Sequence, residues 1–366
     1  MSRDGWLALC LLALVACGKE SGDEELPGIP KNQIEISDRT VVNQVSTVPE
    51  RGVWLDGKIS VLRPSWKPTT FITFWSSFDS YMQIDCATPW LEDNIGRLRS
   101  TMTVIGKNFN PQPGFTDGGQ WFIGVHEVSG GKLVGFFHAE SHWKNQSGVY
   151  KSIGVAYSTD QGRTWTPGDK ILSGDEPKPT TSDNDGRSYG LGDGCVVWNK
   201  ERESWICYYS GFCPAQNDFC ICMAESEDPL GAAGTWKKWD GSGFTVEGCN
   251  TTTGLGGVNT AIRSLRHFHG GNPSVMYNAE RSQWMMVYHR WDPHVIIFAT
   301  SIDGITWGGP SAIFDQKMEP GGAMYPNFIS SEGDLSGGNT FRIYYAADMS
   351  SSGSRKLCYR TVTLND

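Results

Sequence analysis

The sequence predicts an all-β chain, a β-propeller of five blades with four antiparallel strands each. Three observations predict it. First, residues 192–205 read Gly-Asp-Gly-Cys-Val-Val-Trp-Asn-Lys-Glu-Arg-Glu-Ser-Trp, and residues 271–284 repeat the phrase as Gly-Asn-Pro-Ser-Val-Met-Tyr-Asn-Ala-Glu-Arg-Ser-Gln-Trp. A repeat of this size marks one supersecondary unit stacked on copies of itself. Second, each copy is a short apolar stretch, a polar turn with Glu-Arg, and a second stretch opening on Trp, the pattern of two paired strands. Third, no long stretch of helical period stands out after residue 20.

The elements follow in order. Second strands align at 134–140, 206–212, 286–291 and 342–348, and paired aromatics recur in them. Third strands follow at 152–158, 220–226, 295–301 and 357–364, bounded by Gly, Pro, Asn or Asp. Units therefore lie near 121–172, 192–246, 271–314 and 325–364, the last ending after its third strand. Residues 41–109 supply a further blade and are available to close the ring; six blades is the alternative count. Four-stranded units repeated about an axis make a propeller.

The third strands end in a turn. Ser158-Thr159-Asp160-Gln161-Gly162-Arg163-Thr164-Trp165 is the fullest, Ser301-Ile302-Asp303-Gly304-Ile305-Thr306-Trp307 is shorter, and Ser226-Glu227-Asp228-Pro229 reaches Thr235-Trp236. Asp accepts bonds from nearby backbone N–H groups and Gly supplies a positive φ, so these Asp residues are turn formers. The first copy resembles the Asp-box of sialidases.

The ends and the composition bound the rest. Residues 1–16 read as a leader, with Arg3 early and an apolar run too short to span a bilayer. Leu14-Val15-Ala16-Cys17 resembles a bacterial lipobox, which implies a lipid anchor at Cys17 in the bacterial cell envelope. Gly18 after it implies the outer membrane or cell surface. Residues 17–40 are acidic and Gly/Pro-rich at their start and read as a flexible tether, leaving 41–366 as one propeller domain. Net charge is −9 with no basic run, which excludes nucleic acid as a partner. A monomer is expected. Ten cysteines less Cys10 and Cys17 leave eight, and export favours disulfides. Cys195 with Cys207, Cys213 with Cys220, and Cys222 with Cys207 compete, so connectivity stays open. No zinc-knuckle spacing joins Cys213, Cys220 and Cys222.

Antiparallel connectivity decides which residues share a mouth. The start of an inner strand and the end of the next strand lie on one face. Asp117, Asp193, Asn272, Tyr325 and Asn327 come from inner-strand starts, and His138, Glu140, His289, Arg290 and Asp348 from second-strand ends. His142 and His269 lie beside them. Five of the seven His fall on this face.

The aromatic strand ends, the Ser-x-Asp-Gly-x-x-Trp turn and the five-blade count resemble the arabinanase, xylosidase and fructosidase group of glycoside hydrolases. That resemblance implies glycosidic cleavage by a carboxylate pair near the starts of inner strands. Asp193 occupies such a position. Glu140 is the expected general acid, its pKa raised by Phe136, Phe137 and Trp143. Asp348 or Asp117 would be a third, orienting carboxylate. His138, His142, Asn272, His289, Arg290, His269, Tyr325 and Asn327 would bind the oligosaccharide or polysaccharide. The full catalytic set of those families is not found in order. Two alternatives stand beside hydrolysis: a polysaccharide lyase using His or Tyr as base with Arg on a uronate carboxylate, and a binding propeller without turnover. No cofactor is required; Asp and Asn near the axis suit a structural calcium or sodium ion, and His138, His142 and Glu140 would suit a transition metal.

Overall fold

The computed structural model describes residues 29–44, 55–77, 80–93, 103–104, 112–143, 148–180, 188–266, 269–348 and 355–366. The leader and Cys17 lie outside the described residues. The described strands form a β-propeller whose four hydrogen-bonded sheets are consistent with five blade units, two of them joined into one nine-stranded sheet by the parallel pairing of 188–190 with 149–151. The first holds Ile59–Leu62, Phe71–Ser77, Ser80–Cys86 and Thr103–Val104. The second holds Gly119–Ser129, Lys132–His142, Val149–Ser158 and Thr166–Leu172. The third holds Ser188–Asn199, Ser204–Cys213, Asp218–Ser226 and Lys237–Trp239, with Phe244–Glu247 added outside. The fourth holds Gly270–Asn278, Gln283–Arg290, Val295–Ser301 and Trp307–Phe314.

The fifth unit takes Ala323–Ile329, Thr340–Ala347 and Lys356–Leu364 from the end of the chain. Its outer position is filled from the front: Ile34–Ile36 and Thr40–Gln44 both pair antiparallel with Lys356–Leu364. The expected start at residue 41 is therefore corrected. Ile29, Ile34 and Ile36 pack on the core between the fourth and fifth blades, so the end of the 17–40 stretch belongs to the fold. Alternating Ile-Glu-Ile supplies one apolar face, which the acidic composition nearby had obscured.

Five apolar clusters, one between each neighbouring pair of blades, close the ring. Phe74, Phe122 and Trp165 fill the gap between the first and second. Phe136, Trp205 and Trp236 fill the next, then Tyr208, Trp284 and Trp307. Phe298, Phe328 and Phe341 lie between the fourth and fifth, and Trp75, Ile329 and Tyr344 between the fifth and first. Each blade is apolar on both faces because both faces meet a neighbour, which is why the strands carry runs of apolar residues rather than strict alternation.

The repeated polar turns are held by their own side chains. Asn199 Oδ1 accepts the N–H groups of Glu201 and Arg202, and Asn278 Oδ1 accepts those of Glu280 and Arg281. On the same face, where Asn199 Nδ2 donates to Asp303 O at 3.0 Å, Asp160 accepts the Thr164 N–H at 2.8 Å and Asp303 the Thr306 N–H at 2.7 Å. These carboxylates are used within their turns. The eight described cysteines are buried thiols. Cys195 and Cys207 face opposite sides of their sheet, toward different inter-blade cores, so neighbouring strands do not bring them together. Cys213 Sγ and Cys222 Sγ lie 3.3 Å apart.

Candidate active site

Three inner strands begin with the same irregularity. Asp193, Asn272 and Tyr325 have φ of 49°, 51° and 53°, and the register slips at each: between Gly192 and Gly194, Gly271 and Ser274, and Met324 and Asn327. A left-handed residue at a bulge re-aims its side chain and stores of order 1 kcal/mol or more of strain. Together with Trp121 of the second blade, these three side chains line one small axial pocket of about 10 Å³.

The blade behind holds two of these three bulges. The Asp193 N–H donates to His138 Nδ1 at 3.0 Å, and the Asn272 N–H donates to Ser210 Oγ at 3.1 Å. His138 and Ser210 stand at equivalent second-strand positions, opposite Trp121 and Gly192. The approach at Gly192 is close: a Cβ there would sit 2.0 Å from His138 Nδ1, so only glycine fits. His289 is the next equivalent, opposite Gly271. It is fully buried, both ring nitrogens lack hydrogen-bond partners among the described residues, and its imidazole stands perpendicular to Trp291 at 4.1 Å. Burial pushes its pKa down to about 3, so it is neutral.

His138 is itself oriented. Its Nδ1 accepts from Asp193, so Nε2 carries the proton and donates to Glu140 Oε1 at 3.2 Å. His142 Nε2 bonds the other oxygen, Oε2, at 2.8 Å. Burial desolvates the Glu140 carboxylate and raises its pKa, but the bonds from His138 and His142 outweigh this and hold it well below the carboxylate range. The expectation of Glu140 as general acid rested on a raised pKa; the two imidazole bonds shift it the other way and favour the anion, which positions His138. Phe136 and Phe137 lie buried in the inter-blade cores.

Asp193 is ionised too. Its carboxylate meets Lys151 Nζ at 2.7 Å, and the parallel pairing of Gly190 with Lys151 sets the two chains side by side. Burial raises the Asp193 pKa; the charges of Lys151 and His138 and the Lys151 hydrogen bond lower it further than burial raises it. On its outer side Asp193 borders a cavity of about 820 Å³. Lys151, Ser210, Phe212, Asn217, Asp218 and Phe219 line it from the second and third blades, and His269, Arg290, Trp291 and Asp292 from the fourth.

The other expected residues divide. His269 and Arg290 line the large cavity, and Asn272 and Tyr325 the axial pocket. Asn327 is buried as a brace: its Oδ1 accepts the Ile59 N–H and its Nδ2 donates to Gly57 O, tying the fifth blade to the first. Asp348 is held away from both cavities by Arg39 at 3.4 Å and Lys356 at 2.7 Å, next to the buried Glu319. Asp117 is exposed and acts on His142 through its charge.

Asp56 was missed. It lines the axial pocket with Asp193, Asn272 and Tyr325, and meets Arg355 at 3.0 Å. The signal was present: Leu55-Asp56-Gly57-Lys58-Ile59-Ser60 matches the Asp-Gly and apolar strand of 192–197. Asp56 and Asp193 are each paired to a cation of the chain, and no three His, Cys, Asp or Glu gather as a metal site among the described residues. His138 and His142 each spend a nitrogen on Glu140.

No protein family matches the sequence, and no curated protein does. Solved structures do match. An α-L-arabinofuranosidase from Lactobacillus brevis superposes with a TM-score of 0.51 at 13% identity, over 84% of this chain and 91% of that one. The two share a fold. A family 117 glycoside hydrolase from the marine bacterium Zobellia galactanivorans gives a TM-score of 0.49 at 11% identity, over 90% and 91%. An α-L-arabinanase of Penicillium chrysogenum, solved with arabinobiose, gives 0.45 at 13%, over 89% and 98%. The similarity reaches the architecture and leaves the site to be argued from its own residues.

Proposed function

We propose that the chain is a carbohydrate-active enzyme that hydrolyses glycosidic bonds at the propeller mouth. One observation carries the reading. Asp193, on a strained bulge, is kept ionised by Lys151 at the border between the axial pocket and an 820 Å³ cavity with aromatic walls. An ionised carboxylate there suits activation of water or attack at C1. Asp56, on the corresponding position of the first blade, is the second carboxylate of the pair. Neither Glu140 nor Asp193 holds a proton to give. His269, with Asp218 3.2 Å from its Nδ1 and both on the cavity wall, is the proton donor this reading assigns. Hydrolase architectures among the similar structures support it.

The lyase alternative needs a His or Tyr base in contact with substrate. His289 is fully buried behind Trp291 and Tyr325 lies in the axial pocket, which leaves His269, the group the hydrolytic reading uses as proton donor, as the described His or Tyr on the wall of the large cavity. Attachment through Cys17 to the envelope surface belongs to the same proposal, supported by Leu14-Val15-Ala16-Cys17. A panel of plant, algal and host glycans, followed by reducing-end release and by absorbance of unsaturated uronates, tests the function. New reducing ends without that absorbance are expected. Absorbance would make the chain a lyase, and a sugar bound but unaltered would make it a binder.

A further inference from the structure

The cavity beside Asp193 contains one cation that the hydrolytic reading leaves unused. Two of its other charged walls face a counter-charge. Lys151 is bound to Asp193 at 2.7 Å, and His269 lies 3.2 Å from Asp218. Arg290 makes no ion pair and no side-chain hydrogen bond with any described residue, and its Nε is buried without a partner. A buried guanidinium N–H without an acceptor is unfavourable until something supplies one. Asp292 lies two residues on, exposed at the rim, where solvent screens its charge. Beside Arg290 the cavity offers flat apolar surface. Trp291 is fixed perpendicular to His289, and Phe212, 40% exposed, pairs with Phe219 at 5.9 Å. Aromatic surface of this kind covers the apolar face of a pyranose while its hydroxyls stay solvated.

We propose that this cavity is built for a uronic-acid sugar, with its carboxylate received by Arg290 and its ring lying against Trp291 and the Phe212–Phe219 pair. The proposal rests on the cavity being the sugar site argued above. The guanidinium fork matches a planar carboxylate through two parallel N–H bonds, a geometry that a lysine cannot reproduce. A sulfate ester shares the charge but not the planarity.

The test is calorimetric titration of the purified protein with oligogalacturonate, oligoglucuronate and oligomannuronate. Each is paired with its carboxyl-reduced, neutral counterpart, and a sulfated neutral oligosaccharide is included. At least one uronate is expected to bind roughly tenfold or more tightly than its counterpart. Arg290→Gln should remove that preference, and Arg290→Lys should restore only part of it. If Arg290→Gln melts early, the comparison of wild type with Arg290→Lys decides. Failure of all three uronates to bind, equal binding of the neutral counterparts, unchanged preference in Arg290→Gln, or tighter binding of the sulfated sugar overturns the proposal. Hydrolysis is followed in parallel. Uronate binding without turnover keeps this inference and removes the hydrolase reading. Hydrolysis of neutral glycans with no uronate preference does the reverse.

Discussion

Glu140 stands between two imidazoles because a strand repeats every two residues. His138, Glu140 and His142 share one face of Lys132–His142, and the carboxylate bonds both neighbours. That period was legible in the sequence and outweighs the apolar residues nearby, which pointed to a raised pKa. Phe137 lies on the opposite strand face, and Phe136 is buried beside Trp205 and Trp236. The sign of the effect sets a pH window. The Glu140 pKa is depressed, so its contribution to stability is full above the unfolded value of about 4.3 and fades as pH falls toward the folded one. His142 is raised, chiefly by its bond to Glu140, so its contribution is full below about 6.5 and fades as pH rises. The network is therefore strongest between about pH 4.5 and 6.5. Glu140→Gln should lower the melting temperature most in that window. Melting curves from pH 4 to 8 that shift equally at every pH would contradict this.

The bulges show what an element can hide. Asp193 and Asn272 were legible because the repeated phrase aligns them, and Tyr325 because its strand follows the same plan. Asp56 carried only the short Asp-Gly signal, since its inner strand, Ile59–Leu62, is four residues long and carries neither the Glu-Arg turn nor its opening Trp. The aromatic load of the chain is mostly scaffold at this scale. Trp236 is 1% exposed, donates to Gly231 O at 2.9 Å, and packs on Phe136 at 5.7 Å. Trp236→Ala leaves a cavity between the second and third blades and should cost about 3–5 kcal/mol, read from chemical denaturation. A loss below about 1 kcal/mol would mean that this interface does not bear on the fold.

The ring closes by joining the two ends of the described chain. Three strands of the last blade come from residues 323–364, and the strands that complete it come from residues 34–44. The sequence showed the missing fourth strand but placed the start of the domain at 41, because Ile34-Glu35-Ile36 is too short to announce itself. A truncation through residue 44 should abolish cooperative unfolding, whereas one ending at residue 28 should leave the melting temperature unchanged. Identical melting of both proteins would show that the front strands do not close the ring. Closure matters for function because the mouth is assembled from residues of every blade, from Asp56 in the first to Tyr325 in the fifth.

The central claim is that this mouth hydrolyses glycosidic bonds through Asp193, and one substitution tests it most directly. Asp193→Asn removes the charge while keeping the bulge, since asparagine tolerates the left-handed region and Asn272 already occupies the equivalent place in the next blade. Leaving Lys151 without its partner should cost on the order of 1–3 kcal/mol, which a folded propeller survives. Turnover of whichever glycan the panel identifies should fall by about a hundredfold or more at a retained circular dichroism spectrum. Undiminished turnover by a folded Asp193→Asn protein would contradict the account.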